Sequence, residues 1–331
     1  MSRVVHAEDD LLPVARAAQL SGESVQCRWL LDGLWAHAAV GVIGGAPKCC
    51  KSWLGLDMAV SVASGTPCLG AFAAPEPGPA LIYLAEDALA VVRERLAAIS
   101  RHRRLDFASL AVDVITVPSL RLDRDCDQLR LAATVRALRP RLLLLDPFVR
   151  LHRIDENNAG EVAGLLAYLR ELQREYDLAV AVVHHARKNG PAGAAAGVGL
   201  RGSGDFHAWG DSNLYLRRSR ELVLTVEHRA AAAPPPYAVA LLSDERGECT
   251  HLEVTGTHSA ADAMRPRRDA TQLDEAVITT LSAAALPLSR LELRAALHVR
   301  NEALGESLAR LAAAGRVERV ADRWRLASAL A

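Results

Sequence analysis

The stretch Ala39-Val40-Gly41-Val42-Ile43-Gly44-Gly45-Ala46-Pro47-Lys48-Cys49-Cys50-Lys51-Ser52-Trp53 decides how this sequence is read. Residues 39–43 are a short apolar run ending in two glycines, the pattern of a buried parallel strand. After the loop, 52–64 reads as a helix stopped by Gly65-Thr66-Pro67. A strand, a loop opening on Gly45 and a Lys51-Ser52 pair entering a helix form the context of a phosphate-binding P-loop. Backbone N–H groups and the helix N-terminus favour negative charge there. Gly45, Ala46, Pro47, Lys48, Cys49, Cys50, Lys51, Ser52 and Trp53 are therefore the expected nucleotide-binding residues, with ATP and Mg²⁺ as cofactors. Lys51 would reach the β- and γ-phosphates and Ser52 would ligate Mg²⁺. One position departs from the motif. Cys50 stands where glycine is usual, and its Cβ and sulfur intrude where the backbone passes close to phosphate. Two readings stay open: a working site, or the same fold with a damaged one.

Working outward, 80–84, 112–117, 142–145 and 178–183 are further apolar strands, separated by helical patterns at 88–101, 126–138 and 158–176. Strands alternating with helices imply an α/β fold with a doubly wound, mostly parallel sheet. Runs at 213–217, 221–228 and 237–243 extend it. Asp146 ends the leucine run and is placed to hold Mg²⁺. Glu86, just past the second strand, is placed to orient or deprotonate the attacking water, with Asp87 as the competing choice. His184-His185 ends the fifth strand, where His185 could meet the γ-phosphate.

The 331 residues allow one large domain and a smaller module. The boundaries expected are a lead-in at 1–38, the P-loop domain at 39–255, a linker at 256–271 and a C-terminal domain at 272–331. Thirty-nine basic and 39 acidic residues give zero formal charge, so any nucleic-acid contact must come from a local patch. No long apolar run and no basic-then-apolar leader is present, and the six cysteines lack metal spacing. A cytoplasmic protein with no membrane contact is expected. In the last 60 residues, helices at 272–284, 289–297 and 301–314 precede a hairpin pattern turning at Ala321-Asp322, the signature of a winged helix-turn-helix. Arg290, Arg294, Arg300, Arg310, Arg316, Arg319, Arg323 and Arg325 make this region locally basic. Helix 301–314 would then enter duplex DNA, with the wing arginines on phosphate; docking to protein is the alternative.

These residues together resemble the RepA-like branch of the hexameric RecA-type ATPases, relatives of the DnaB replicative helicases. The resemblance runs from about Trp29 to Leu242. It rests on Gly45 to Trp53, Tyr83-Leu84-Ala85-Glu86-Asp87, Leu145-Asp146-Pro147-Phe148-Val149-Arg150-Leu151-His152, Val183 to Lys188, Arg201 to Asp211 and Val226-Glu227-His228-Arg229. It implies a RecA-like domain in a homo-oligomeric, usually hexameric ring with ATP at subunit interfaces. Arg229 matches the family's arginine finger, acting on a neighbour's phosphates, and His228 lies near a second basic sensor. The loop near 189–204, with Arg187, Lys188 and Arg201, matches the segment that faces the channel and touches single-stranded DNA. The function expected is an ATP-driven ring acting on DNA, such as a replicative helicase. A regulatory scaffold with a weakened P-loop and a KaiC-like signalling ATPase are the alternatives.

Overall fold

The computed structural model describes residues 14, 16–19, 28–156, 158–185, 204–218, 221–257, 268–284, 286–297, 301–320 and 323–327. The chain divides into two compact units, Met1–His258 and Ser259–Ala331.

In the first unit, a small antiparallel hairpin of β1 (Trp29–Leu31) and β2 (Trp35–Ala36) leads into β3 (Val40–Gly45) and α1 (Lys51–Ser64). Then come β4 (Ala80–Leu84), α2 (Leu89–His102), β5 (Val112–Val114), α3 (Asp125–Leu138), β6 (Leu142–Asp146), α4 (Ala159–Tyr176) and β7 (Ala179–His185). The unit closes with α5 (Gly204–Trp209), β8 (Ser212–Arg218), β9 (Leu222–His228), β10 (Tyr237–Leu242) and β11 (His251–Thr257). The strands form a nine-stranded sheet in the order β11-β10-β9-β8-β3-β7-β6-β4-β5. From β8 to β5 every pairing is parallel, and the three pairings from β8 to β11 are antiparallel.

The parallel strands are apolar throughout because helices cover both faces of the sheet. Successive side chains alternate between those faces. Leu142 and Leu144 enter the core under α1 and α2, whereas Leu143 and Leu145 enter the core under α3 and α4. The same alternation sends Ala181 and Val183 of β7, and Leu214 and Leu216 of β8, to the α1 face. One strand, β7, separates the strand that feeds the phosphate loop from the strand that ends in Asp146.

Several boundaries differ from the sequence reading. The hairpin at 29–36 belongs to this unit, since the Ala36 amide donates to Ser212 Oγ at 3.0 Å. The third strand stops at Val114 rather than 117. The strand β11 was not foreseen and runs to Thr257, so the expected break at 255–256 moves to His258–Ser259. The loop at 189–203, with Arg187, Lys188 and Arg201, lies outside the described residues.

In the second unit, α6 (Arg268–Ala283) starts inside the stretch expected as linker. It is followed by β12 (Leu288–Ser289), α7 (Arg290–Leu297), α8 (Asn301–Ala313), β13 (Val317–Val320) and β14 (Arg323–Leu326). The strands form an antiparallel sheet in the order β12-β14-β13, over a core that includes Val277, Leu281, Leu293 and Leu308. The turn at Ala321-Asp322 lies outside the described residues.

Candidate functional site

The register of the sheet assembles the site. Gly45, the last residue of β3, pairs with His185 on one side and Leu216 on the other. A Cβ at Gly45 would collide with the Leu216 carbonyl oxygen, and its φ of 152° also disfavours an L side chain. Cys50 is the N-cap of α1, with φ 59° and ψ 25°. That left-handed conformation costs a non-glycine residue about 1 kcal/mol, a second reason for glycine in the motif. The first turn of α1 carries no acidic residue, so no side chain competes with an anion for its free N–H groups. Lys51 is buried, and its Nζ donates to the carbonyls of Gly45 at 3.0 Å and Ala46 at 2.8 Å. Burial lowers its pKa, against the nearby carboxylate of Asp146.

Residues 47–53 line a cavity of about 450 Å³. Glu86, Asp146 and His185 line the same cavity, each from the end of a different strand. Gly45 and Ala46 lie behind it, holding Lys51.

Asp146 is 6% exposed, and its Oδ2 has no hydrogen-bond partner. Burial pushes its carboxyl up to about 6; a hydrogen bond from Ser52 and the Lys51 charge oppose the rise, while Asp87 and Glu86 add to it. A buried carboxylate oxygen left unpaired beside a serine hydroxyl is a hard oxygen site of the kind Mg²⁺ takes.

The two acids after β4 diverge. Glu86 lines the cavity and accepts a hydrogen bond from Arg150 Nε at 2.7 Å. Asp87 instead holds Arg95 at 2.6 Å, and the Arg95 guanidinium lies 5.5 Å from the centroid of the Trp53 ring. Asp87 is not a cap for α2, whose N-cap is Ala88. The two histidines part in the same way. His185 faces the cavity, while His184 is buried on the opposite face and stacks on Phe206 with centroids 4.3 Å apart.

Arg229 and His228 are elsewhere. The antiparallel turn from β8 to β9 carries them to the opposite end of the strands, where Ser212 pairs with His228. Arg229 pairs with Asp211 at 3.3 Å and donates to the Ala208 carbonyl. His228 contacts Ser212 Oγ at 3.1 Å and the Gly33 carbonyl at 3.2 Å, and burial lowers its pKa. Neither lines the cavity. Three arginines that the sequence reading did not single out do meet the site: Arg95, Arg150 and Arg218, whose Nη2 lies 3.4 Å from Cys50 Sγ.

In the second unit, several of the expected basic residues are engaged by acids. Arg310 pairs with Asp274 at 2.9 Å, Arg323 with Glu292 at 3.3 Å and Arg325 with Glu318 at 2.6 Å. Arg300 lies outside the described residues. No helix among the described residues is long and apolar enough to cross a membrane.

The family described as the AAA domain matches residues 7–191, more than half of the chain and all of the phosphate loop. The chain belongs to the AAA domain family. Among solved structures, it is similar to the crystal structure of the RadB recombinase, at 17% sequence identity and a TM-score of 0.49. That match covers 66% of this chain and 91% of the other. Within the AAA domain, the matched segment carries β3 to β7, and with them Lys51, Ser52, Glu86, Asp146 and His185.

Proposed function

We propose that this AAA-domain protein binds and hydrolyses ATP and works as a RecA-type ring on DNA, as a member of the RepA-like helicase branch. One observation carries the proposal: Lys51, Ser52, Glu86, Asp146 and His185, from four separate segments of sequence, converge on one cavity at a phosphate loop. Lys51 exchanges the Gly45 and Ala46 carbonyls for the β- and γ-phosphates. Ser52 and Asp146 would hold Mg²⁺, which would supply positive charge to the phosphate oxygens. Glu86, released from Arg150, takes the proton of the water that attacks the γ-phosphorus as the bond to the β-phosphate oxygen breaks. His185 contacts the γ-phosphate. Arg229, off its own cavity, serves the neighbour's nucleotide in a hexamer. The second unit is a winged helix that touches duplex DNA, and the protein acts in the cytoplasm.

A second reading is favoured by Cys50, whose left-handed backbone and sulfur stand at the phosphate loop. In that reading the protein is a scaffold that binds nucleotide weakly and recruits DNA or protein through its second unit. DNA-stimulated ATP hydrolysis by wild type, Lys51→Ala and Cys50→Gly separates the two. The motor reading expects wild type to exceed Lys51→Ala by about a hundredfold or more. If only Cys50→Gly rises above Lys51→Ala, the scaffold reading holds. Mass photometry checks the ring: a monomer with and without nucleotide would remove any trans role for Arg229.

A further inference from the structure

The strand ends that build the cavity share one rule. Residues on the α1 face of the sheet point into it: Asp146 continues the series Leu142, Leu144, and His185 continues Ala181, Val183. The strand β8 obeys the same alternation. Leu214 and Leu216 are on the α1 face, so Arg218, two residues on, leaves the sheet on that face too, and Arg217 on the other. Because Leu216 pairs in parallel with Gly45, Arg218 emerges directly beside the phosphate loop. Its guanidinium Nη2 lies 3.4 Å from Cys50 Sγ.

We propose that Arg218 is a phosphate-binding residue of this chain's own nucleotide site, held over the loop by the Cys50 sulfur until phosphate replaces it. The proposal deepens the nucleotide reading above and rests on it. Two further observations support it. The other arginines at the cavity, Arg95 and Arg150, are neutralised by Asp87 and Glu86. Among the described residues no carboxylate forms an ion pair with Arg218, whose hydrogen-bond partner is the sulfur alone. A thiol is a weak acceptor and a phosphate oxygen a strong one, and a guanidinium fork matches phosphate geometry. The exchange therefore favours the anion. It also gives the cysteine a task in a motif position where its backbone is strained: the sulfur parks a cation where phosphate arrives. The ligand class is a nucleoside di- or triphosphate, met through its phosphate oxygens.

The test is equilibrium binding of the fluorescent N-methylanthraniloyl analogues of ATP and ADP to the full chain, comparing wild type with Arg218→Ala, Arg218→Lys, Arg217→Ala and Lys51→Ala. Arg218→Ala should weaken both nucleotides about tenfold or more. Arg218→Lys should recover part of the loss, Arg217→Ala should stay within about twofold, and the thermal midpoint of Arg218→Ala should match wild type. Nucleotide binding that requires Lys51 but is unchanged in Arg218→Ala, or reduced equally in Arg217→Ala, would overturn the role of Arg218 alone. Binding that is absent in wild type would overturn the nucleotide reading and this proposal together.

Discussion

The two ends of the parallel strands are built to different standards. At the end where β3 begins, polar groups are paired in a closed network. Asp211 accepts from the Val40 amide at 3.2 Å and pairs with both Arg170 and Arg229, while Ser212 and His228 tie the β1–β2 hairpin down. At the opposite end, the loop leaves a buried carboxylate oxygen on Asp146 unpaired and holds Cys50 in a left-handed conformation. The first end is held by paired polar groups, and the second carries the unpaired carboxylate oxygen that the proposed nucleotide site would use. The contrast also explains where Arg229 sits: it belongs to the paired network, remote from its own chain's phosphate loop.

Substitutions at the two ends should therefore separate stability from ligand binding. The largest effect is expected for Asp211→Ala, which strands Arg170 and the Val40 amide. It should lose about 3 kcal/mol in chemical denaturation and leave nucleotide affinity unchanged once the protein is folded. Asp146→Asn should do the reverse. The wild-type carboxyl binds its proton more tightly in the fold than in the unfolded chain. Stability therefore falls as pH rises from about 3.8 to about 6 and stays lower above that. Removing the charge should raise stability at pH 8 by about 3 kcal/mol and abolish Mg²⁺-dependent hydrolysis. A destabilised Asp146→Asn would break the comparison.

Two smaller effects sharpen it. Cys50→Gly should stabilise the protein by about 0.5 kcal/mol, the relief of the left-handed backbone less the entropy glycine adds to the unfolded chain. At the paired end, burial lowers the His228 pKa, so its contribution to stability is present above pH 6.5 and is lost as the pH falls below 6.5 toward the lower folded value. Acidification below pH 6.5 should lower the thermal midpoint of wild type relative to that of His228→Gln, since Asp146 contributes equally to both. An unchanged difference between the two would remove His228 from the network.

The sequence made the parallel half of the sheet legible because strands covered on both faces read as unbroken apolar runs. The second strand falls at Ala80–Leu84 as expected, and the fourth extends one residue, to Asp146. The edge strand β11 escaped notice because His251-Leu252-Glu253-Val254-Thr255-Gly256-Thr257 mixes polar and apolar residues and is exposed at its far end. At the cavity, Pro47 to Trp53, Glu86, Asp146 and His185 were readable from the phosphate motif and from strand ends, whereas Arg95 was not. The alternation that separates His184 from His185 was present in the sequence and could have been used. Arg218 was not readable, because its meeting with Cys50, 168 positions away, depends on β8 pairing with β3. Arg150 lies within the Leu145 to His152 motif, but its bond to Glu86 requires the β4–β6 pairing that brings Leu84 beside Asp146.

The most direct test of the account asks whether nucleotide phosphates occupy the space next to Cys50. Alkylation of the native protein by iodoacetamide, quantified at each cysteine by mass spectrometry, should label Cys50, which lines the cavity, faster than the buried Cys49 and Cys68. Saturating Mg²⁺·ATP should slow labelling at Cys50 at least about tenfold while leaving the exposed Cys126 unchanged. Labelling of Cys50 at the same rate with and without ATP, in protein where Cys126 reacts normally, would contradict the account.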